Sequence, residues 1–226
     1  MREEIVWLMD ELGSREDVRA AIVTGRGKVF SAGADLHERA HLDDEPGEYL
    51  RHSRATRESF FALTDCAVPV IAAVNVPAIG AGYATAACAD FLILSDDAWI
   101  QMPEIERGLL GVAKFLSMHF GRSRARYLLF TGEKIDAPEL HRLGVADALV
   151  SAISCCREPV TSPCRSQRRA RWPYGGASRC STPWSRCLPE TGTPSNSATR
   201  TISKSDDARK AREAFLERRE PRFTGR

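Results

Sequence analysis

The feature that most constrains the fold is an apolar segment followed by a glycine-rich turn and an alanine-rich segment, residues 68–90. Residues 68–74 are apolar, partly β-branched and bounded by Pro69 and Pro77, which predicts a short buried strand. Residues 80–82 (Gly-Ala-Gly) predict a tight turn, and residues 83–88 favour a helix because they are rich in alanine. A strand, turn and helix in this order point unpaired backbone N–H groups at one place. Such a place binds negative charge, either a standing phosphate or an oxyanion that forms during a reaction.

A second segment of similar design comes earlier in the chain. Residues 20–24 predict an apolar strand, residues 25–28 a turn, and residues 29–30 a return to extended structure. Ser-Ala-Gly-Ala-Asp-Leu follows at residues 31–36, where Gly33 permits a backbone conformation that is closed to bulkier residues. Either turn alone predicts no more than a tight turn, so a functional interpretation depends on the pair.

Strands and helices alternate along the first 150 residues, which predicts an α/β fold with crossover connections. The polar residues that follow Asp35 predict a loop before the next helix. The expected helices are residues 1–12, 49–63, 83–88, 109–120, 123–130 and 137–143, and the expected strands are residues 20–24, 68–74, 91–94, 99–101 and 145–150.

Length and composition set limits on the class of protein. A chain of 226 residues allows one large domain or two small ones, with a sizeable core. The net charge of +2 argues against a strongly polyanionic partner. Without an apolar run of about 18 residues or a signal-peptide pattern, we expect a cytoplasmic protein that has no membrane partner. Cys66 and Cys88 lie in apolar surroundings and are expected to be buried thiols rather than a disulfide.

Residues 151–200 break the pattern. They hold five Cys, six Pro, nine Ser and eight Arg, without helical or strand periodicity, and helical composition returns at residues 203–219. We interpret this stretch as the product of a double frameshift, and the alternative is a disordered linker. Its cysteines lack the paired spacing of a zinc site. Its basic cluster at residues 165–171 could bind nucleic acid non-specifically, but it would have no selected role in a frameshift product.

Three motifs carry a resemblance to a known family. They are Val-Phe-Ser-Ala-Gly-Ala-Asp-Leu at residues 29–36, Pro-Val-Ile-Ala-Ala-Val-Asn at residues 69–75 with Gly-Ala-Gly at 80–82, and Met-Pro-Glu-Ile at residues 102–105 with Gly108. In this order and spacing they resemble the enoyl-CoA hydratase/isomerase (crotonase) family. The resemblance covers about residues 1–150 and resumes from about residue 201.

This resemblance implies a crotonase-like (ClpP/crotonase) α/β fold, a superhelix of ββα units in two roughly perpendicular sheets with a C-terminal helical region. Residues 1–150 would form the acyl-CoA-binding core, residues 151–200 an irregular segment and residues 201–226 a C-terminal helix. Relatives usually have a pair of strands before the first helix. We therefore expect the first strand of this chain to have an exposed edge or an unfilled core face.

The resemblance also assigns chemical roles. The backbone N–H groups of Ala34 and Ala81 would bind the thioester oxygen of an acyl-CoA substrate, and Glu104 would be the acid/base. Glu104 lies among apolar residues, so partial burial is expected to raise its pKa towards neutrality. The alternative for Glu104 is a surface acid like Glu106.

One position departs from the family pattern. Hydratases usually carry a second glutamate where this chain has Ala84, which favours an isomerase or another reaction that needs one acid. Tyr83, Asp97 and His119 are expected to be structural or exposed rather than supplementary catalytic groups.

The remaining expectations concern ligands and assembly. No cofactor is expected beyond the coenzyme A of the substrate, and the family forms homotrimers or hexamers. Two alternatives stay open: a defective relative that neither assembles nor turns over, and, more distantly, a non-specific RNA-binding module. By resemblance the coenzyme A site would include Ala32, Asp35, Leu36, His37, Ile79, Gly80, Phe215 and Arg218.

Overall fold

The computed structural model describes residues 1–15, 17–40, 42, 46–109, 113–151 and 206–219. Residues 152–205 lie outside the described residues, and so do the frameshift interpretation, the basic cluster and the five cysteines of that stretch. Residues 220–226, at the C-terminal end, also lie outside them.

The described elements follow one another in an α/β order. The helices are α1 (Arg2–Ser14), α2 (Leu36–Ala40), α3 (Glu48–Thr64), α4 (Ala81–Ala87), a 3-10 helix (Pro103–Arg107), α5 (Ala113–His119), α6 (Arg122–Thr131), α7 (Ala137–Arg142) and α8 (Asp206–Leu216). The strands are β1 (Ala21–Thr24), β2 (Val70–Val74), β3 (Ala78–Ile79), β4 (Phe91–Ser95), β5 (Trp99–Gln101), β6 (Ile135–Asp136) and β7 (Ala148–Val150).

A parallel sheet with the strand order β1-β2-β4-β7 forms the centre of the fold. Its register pairs Ala21 with Val70 and Ile71 with Phe91. Every residue of β2 is buried, as expected for a central parallel strand whose two faces are both covered. The prediction of a buried strand at this position is therefore confirmed.

A smaller sheet lies beside the first one and positions the site. Strand β5 pairs in parallel with β3 and antiparallel with β6. An isolated parallel bridge between Ser31 and Ala78 adds the first glycine-containing loop to the same edge. The loop at residues 31–36 and the turn at residues 80–82 therefore both lie at this smaller sheet.

The open edge of the main sheet is β1, as expected. Ile22 is 56% exposed there. A cavity of about 540 Å³ lies between α1 and β1, and its lining includes Leu8, Val18 and Leu63. The cavity is therefore on the side of the molecule where the first strand lacks a neighbour.

Several element predictions need correction. Residues 36–40 form α2 rather than a loop, because the Asp35 carboxylate caps this helix by accepting hydrogen bonds from the His37 N–H (2.8 Å) and the Glu38 N–H (3.4 Å). Residues 29–30, predicted as extended, belong to no strand, although the Phe30 N–H bonds to the Pro77 carbonyl. The last strand begins at Ala148 and not at residue 145.

Two further predictions concern the thiols and the membrane. Cys66 and Cys88 are free and buried, so that prediction is confirmed. Within the described part of the chain, no helix has both the length and the apolar character needed to cross a membrane.

Candidate active site

The two glycine-containing turns meet although they are far apart in sequence. The Phe30 N–H donates to the Pro77 carbonyl (2.9 Å), and the Ile79 N–H donates to the Ser31 carbonyl (2.9 Å). These bonds hold the loop that starts at Ser31 alongside the chain that leads into α4.

Gly33 makes the close approach of these two segments possible. Its φ is +94°, and a Cβ at this position would lie 2.8 Å from the Ile79 carbonyl oxygen and 3.3 Å from the Ala81 nitrogen. Any other residue would clash with the backbone there. Ala34 follows directly, so the sequence brings the two predicted amide donors into one neighbourhood.

Both of these amides are available to a ligand. The first hydrogen bond of α4 runs from the Ala84 N–H to the Gly80 carbonyl (3.0 Å), so the Ala81 N–H precedes the helical ladder. Among the described residues, neither the Ala34 N–H nor the Ala81 N–H donates a hydrogen bond. Two such donors suit an oxygen that gains negative charge.

The carboxyl group of Glu104 lies beside the same turn. Glu104 is on the 3-10 helix, directly after Pro103, and only 9% of it is exposed. Gly80 has a φ of +55°, and a Cβ on it would lie 2.6 Å from Glu104 Oε1. Glu104 Oε2 is buried without a hydrogen-bond partner in the described part of the chain. The carboxyl therefore contacts the backbone one residue before Ala81.

Burial changes the acidity of this group. It raises the pKa of Glu104 to about 7, and the positive charges of Arg107 and Arg39 offset only part of that effect. A carboxyl with a pKa near 7 can both take up and release a proton at neutral pH. The expectation of a buried carboxyl with a raised pKa is met, whereas Glu106 is exposed.

The C-terminal helix packs on the helix that carries Glu104. The Arg107 guanidinium lies 4.4 Å from the centre of the Phe215 ring, and its Nη1 donates to the Pro103 carbonyl (3.3 Å). Arg218 follows α8 and is exposed, with a φ of +55°. Phe215 is thus linked to the candidate site through Arg107, and no such link is described for Arg218.

The other residues predicted to bind coenzyme A surround the two turns. Ala32 and His37 are exposed and Leu36 is partly buried. The Gly80 N–H donates to the Gln101 carbonyl (2.8 Å), and Ile79 is held by its bond to Ser31, so both serve the backbone of the turn. Asp35 caps α2. The role of these residues in binding coenzyme A stays a prediction.

Helix α4 provides no second carboxylate, because it contains no Asp or Glu. Ala84 is completely buried in the core. Tyr83 is also buried, and its hydroxyl lies 2.8 Å from His119 Nδ1. Burial raises the pKa of Tyr83 and lowers the pKa of His119, which favours a neutral, structural pair. Asp97 is exposed. Within the described ranges, no three His, Cys, Asp or Glu side chains come together as metal ligands.

Sequence reasoning missed Arg39. It lies on α2 and is partly buried, and its charge acts on Glu104. No motif marks it, because it belongs to a polar segment that is typical of a surface loop. Only the effect of its charge on Glu104 in the folded chain distinguishes it from its neighbours.

Comparisons with known proteins agree with this geometry. The model of the family described as "Enoyl-CoA hydratase/isomerase" matches residues 1–226. The chain is 36% identical over 139 residues to the (7aS)-7a-methyl-1,5-dioxo-2,3,5,6,7,7a-hexahydro-1H-indene-carboxyl-CoA hydrolase of Mycobacterium tuberculosis (strain ATCC 25618 / H37Rv), a match covering 62% of this chain and 56% of that protein. It is 32% identical over 239 residues to the probable enoyl-CoA hydratase echA8 of Mycobacterium leprae (strain TN), covering 100% of this chain and 88% of that protein.

A solved structure has a similar fold. A crystal structure of an enoyl-CoA hydratase/isomerase from Mycobacterium paratuberculosis superposes with a TM-score of 0.81 at 24% identity, covering 94% of this chain and 86% of that one. This likeness confirms the crotonase-like α/β fold. The chain spans only 52–60% of the length of three curated relatives that it matches, so these relatives do not establish its activity.

Proposed function

Since this chain belongs to the enoyl-CoA hydratase/isomerase family, we propose that it binds an unsaturated acyl-CoA thioester and moves a proton along the acyl chain. The observation that carries the proposal is the contact between the Glu104 carboxyl and Gly80, one residue before Ala81. This contact brings an acid/base with a pKa of about 7 next to a donor for the thioester oxygen.

The proposed reaction needs one carboxylate. The thioester oxygen accepts hydrogen bonds from the Ala34 and Ala81 N–H groups, and ionised Glu104 takes a proton from the α carbon of a 3-enoyl-CoA. The negative charge spreads from the oxygen to the γ carbon, and Glu104 returns the proton there to give the 2-enoyl-CoA. The proton removed is the proton returned, so neither water nor a second acid is consumed.

Hydration is the second candidate within the same family. It requires a group that activates water and a group that delivers a proton to the α carbon, and relatives use two carboxylates. Ala84 cannot supply the second one, so Glu104 would have to perform both tasks. We therefore place isomerisation first and hydration second.

The proposal also covers the cofactor, the oligomeric state and the residues that close the site. We expect no cofactor beyond the coenzyme A of the substrate, and we expect a homotrimer or hexamer as in the family. Phe215 and Arg218, on or next to α8, are proposed to help close the site. The described contact between Phe215 and Arg107 supports this role for Phe215.

The direct test is to incubate the protein with a 3-enoyl-CoA and with crotonyl-CoA. Isomerisation predicts that the 3-enoyl ester is consumed, and hydration predicts loss of the crotonyl absorbance. The Glu104→Gln variant should lose turnover by about 100-fold or more and still bind acyl-CoA. Glu106→Gln, which changes an exposed neighbour, is the matched control. If Glu104→Gln keeps wild-type turnover, Glu104 is not the acid/base.

A further inference from the structure

We propose that Tyr83 and His119 are positioning residues, whose hydrogen bond fixes the rotation of α4 about its axis and so aims the Ala81 N–H at the thioester oxygen. This inference rests on the proposed function, because it concerns a donor of the same site. Three observations support it: a short hydrogen bond in the core, a backbone contact at Gly82 and the small size of α4.

The hydrogen bond joins α4 to α5. Tyr83 is the third residue of α4 and is completely buried, and its hydroxyl lies 2.8 Å from Nδ1 of His119, the last residue of α5. The two rings also meet edge to face, with their centres 5.9 Å apart. Among the described residues, neither side chain has another hydrogen-bond partner. Separating the two helices would leave a buried hydroxyl unpaired, so the bond opposes their movement.

Burial determines which of the two groups donates. It raises the pKa of Tyr83, so the phenol keeps its proton, and it lowers the pKa of His119, so the ring stays neutral. The hydroxyl proton has no other acceptor in the described part of the chain. The Tyr83 O–H therefore donates to His119 Nδ1, and the ring proton lies on Nε2.

A second constraint on α4 comes from the loop that carries Ala34. A Cβ on Gly82 would lie 2.4 Å from the Ser31 carbonyl oxygen and 2.6 Å from Ser31 Cβ, so the helix backbone packs directly on that loop. Consecutive residues of a helix point about 100° apart. The Ser31 contact and the Tyr83 hydrogen bond therefore hold α4 on two different sides, and together they oppose its rotation.

Ala81 moves with the rest of α4. It is the first residue of the helix, and its carbonyl accepts a hydrogen bond from Thr85 Oγ1 (2.9 Å). The helix has only seven residues, about two turns, so few other contacts resist its rotation. A donor to a reacting oxygen must be held within about 10–20° of its productive direction. Loss of the Tyr83 hydrogen bond should therefore misdirect the Ala81 N–H.

Turnover provides the first test. Tyr83→Phe removes the hydroxyl and keeps the ring, and His119→Leu removes the acceptor. In both variants we expect kcat for a 3-enoyl-CoA to fall by about tenfold. KM should stay within about twofold, because the amide binds the oxygen most tightly as the negative charge develops. His119→Asn should restore most of the turnover, since the carbonyl oxygen of Asn takes nearly the place of Nδ1.

A spectroscopic measurement reports on the donors directly. The probe is butanoyl-CoA labelled with ¹³C at its thioester carbon, a saturated ester that offers no double bond to move. Hydrogen bonds to the carbonyl oxygen shift this ¹³C resonance downfield. We expect the wild-type protein and His119→Asn to shift the resonance at saturation, and Tyr83→Phe and His119→Leu to lose most of the shift. A pair that only stabilised the core would lower the melting temperature and leave the spectrum of the bound ester unchanged.

The matched control is Tyr127→Phe, which removes the hydroxyl of an exposed tyrosine on α6 and should leave both kcat and the resonance unchanged. The double variant Tyr83→Phe/His119→Leu should lose no more than either single variant, because both changes remove the same hydrogen bond. A wild-type kcat and a wild-type shift in Tyr83→Phe would overturn the proposal. If that variant does not fold, equal shifts in His119→Leu and His119→Asn would overturn it.

The two proposals can fail separately. A protein whose ¹³C shift depends on Tyr83 and His119, but which converts no enoyl-CoA, would refute the proposed reaction and retain the positioning role. A wild-type protein that converts 3-enoyl-CoA without shifting the resonance would do the reverse.

Discussion

Two glycines fix the geometry of the candidate site at the scale of single residues. At Gly33 a side chain would clash with backbone atoms, and at Gly80 it would clash with the Glu104 carboxyl. Both residues have a positive φ. The site therefore requires glycine at both positions, because a Cβ at either one would push apart the groups that form it.

Gly80→Ala tests this dependence. The new methyl group should displace the Glu104 carboxyl, and we expect turnover to fall by about 100-fold because the acid/base moves away from the substrate. The backbone strain should also cost about 1–2 kcal/mol of the free energy of unfolding.

Gly144→Ala separates strain from displacement. Gly144 has a φ of +73°, but no atom of the described residues lies within 4 Å of the position that a Cβ would take. This variant should lose similar stability in urea unfolding and keep its turnover. Equal losses of turnover in the two variants would show that strain, and not the position of Glu104, limits the reaction.

The raised pKa of Glu104 predicts how stability depends on pH. The ordinary pKa of 4.5 applies to the unfolded chain and about 7 to the folded one, so the folded state holds the proton more tightly. The stability that this proton provides is fully present below pH 4.5 and is lost as the pH rises towards 7. Glu104→Gln is neutral throughout, so its stability relative to the wild type should rise by about 2–3 kcal/mol between pH 5 and pH 8.

Urea unfolding of both proteins at these two pH values measures this difference. Glu106→Gln is the control, since its side chain is exposed and should show little relative change. A stability difference between Glu104→Gln and the wild type that does not vary with pH would contradict the raised pKa.

At this scale the sequence predicted part of the site. The apolar neighbours of Glu104 indicated its burial, and Gly33 indicated a constrained turn. Arg39 could not be identified, because no motif marks it and its charge acts on Glu104 only in the folded chain. The catalytic roles of Ala34, Ala81 and Glu104 stay predictions.

At the scale of elements, the C-terminal helix α8 acts on the 3-10 helix through Phe215 and Arg107. The charge of Arg107 lowers the pKa of Glu104, and the Phe215 ring helps to hold that charge in place. In Phe215→Leu the pKa of Glu104 should rise, because Arg107 becomes free to move. The acidic limb of the kcat/KM profile should then move to higher pH by about 0.3–0.5 units.

Leu216→Ala removes a neighbouring exposed side chain of α8 and is the control. Its pH profile should match that of the wild type. If Phe215→Leu lowers kcat at every pH without moving the limb, Phe215 affects the site by some route other than Arg107.

Sequence patterns were sufficient to predict some of the strands and helices but not others. Strand β5 was predicted with its observed bounds and β2 within two residues, because short apolar runs between turn residues have few alternatives. The short helix α2 and the 3-10 helix were missed. Each is five residues long, too short for a helical period to be visible, and the first depends on a cap by Asp35.

At the scale of the whole molecule, the parallel pairing of β1 with β2 explains why two turns distant in sequence meet. Residues 21–24 pair with residues 70–73, so the chain after each strand leaves the sheet at the same end. This follows from α/β topology, in which sites form at the carboxyl ends of parallel strands. The order of the motifs was therefore enough to predict that the two turns lie close together. Oligomer formation could not be predicted in this way, because it depends on surfaces that no motif describes.

The last prediction concerns the folded, assembled molecule and a bound thioester. A ligand that binds only the folded state stabilises it by about 2.7 kcal/mol at 100 times its dissociation constant, which should raise the melting temperature by several degrees. We expect acetoacetyl-CoA to do this, because the amides of Ala34 and Ala81 should bind its thioester oxygen. Glu104→Gln should keep the effect. Gly33→Val should lose it, because a side chain there forces the two turns apart.

Size-exclusion mass measured on the same samples separates the three hypotheses for this chain. A trimer or hexamer whose melting temperature rises with acetoacetyl-CoA supports an acyl-CoA enzyme. An unstable monomer whose melting temperature does not change with the ligand supports a defective relative. RNA binding that weakens with salt, in a protein that acetoacetyl-CoA does not stabilise, supports the nucleic-acid alternative. Gly144→Ala is the control for Gly33→Val, since it adds a side chain at another positive-φ glycine with open space around it and should keep the response to the ligand.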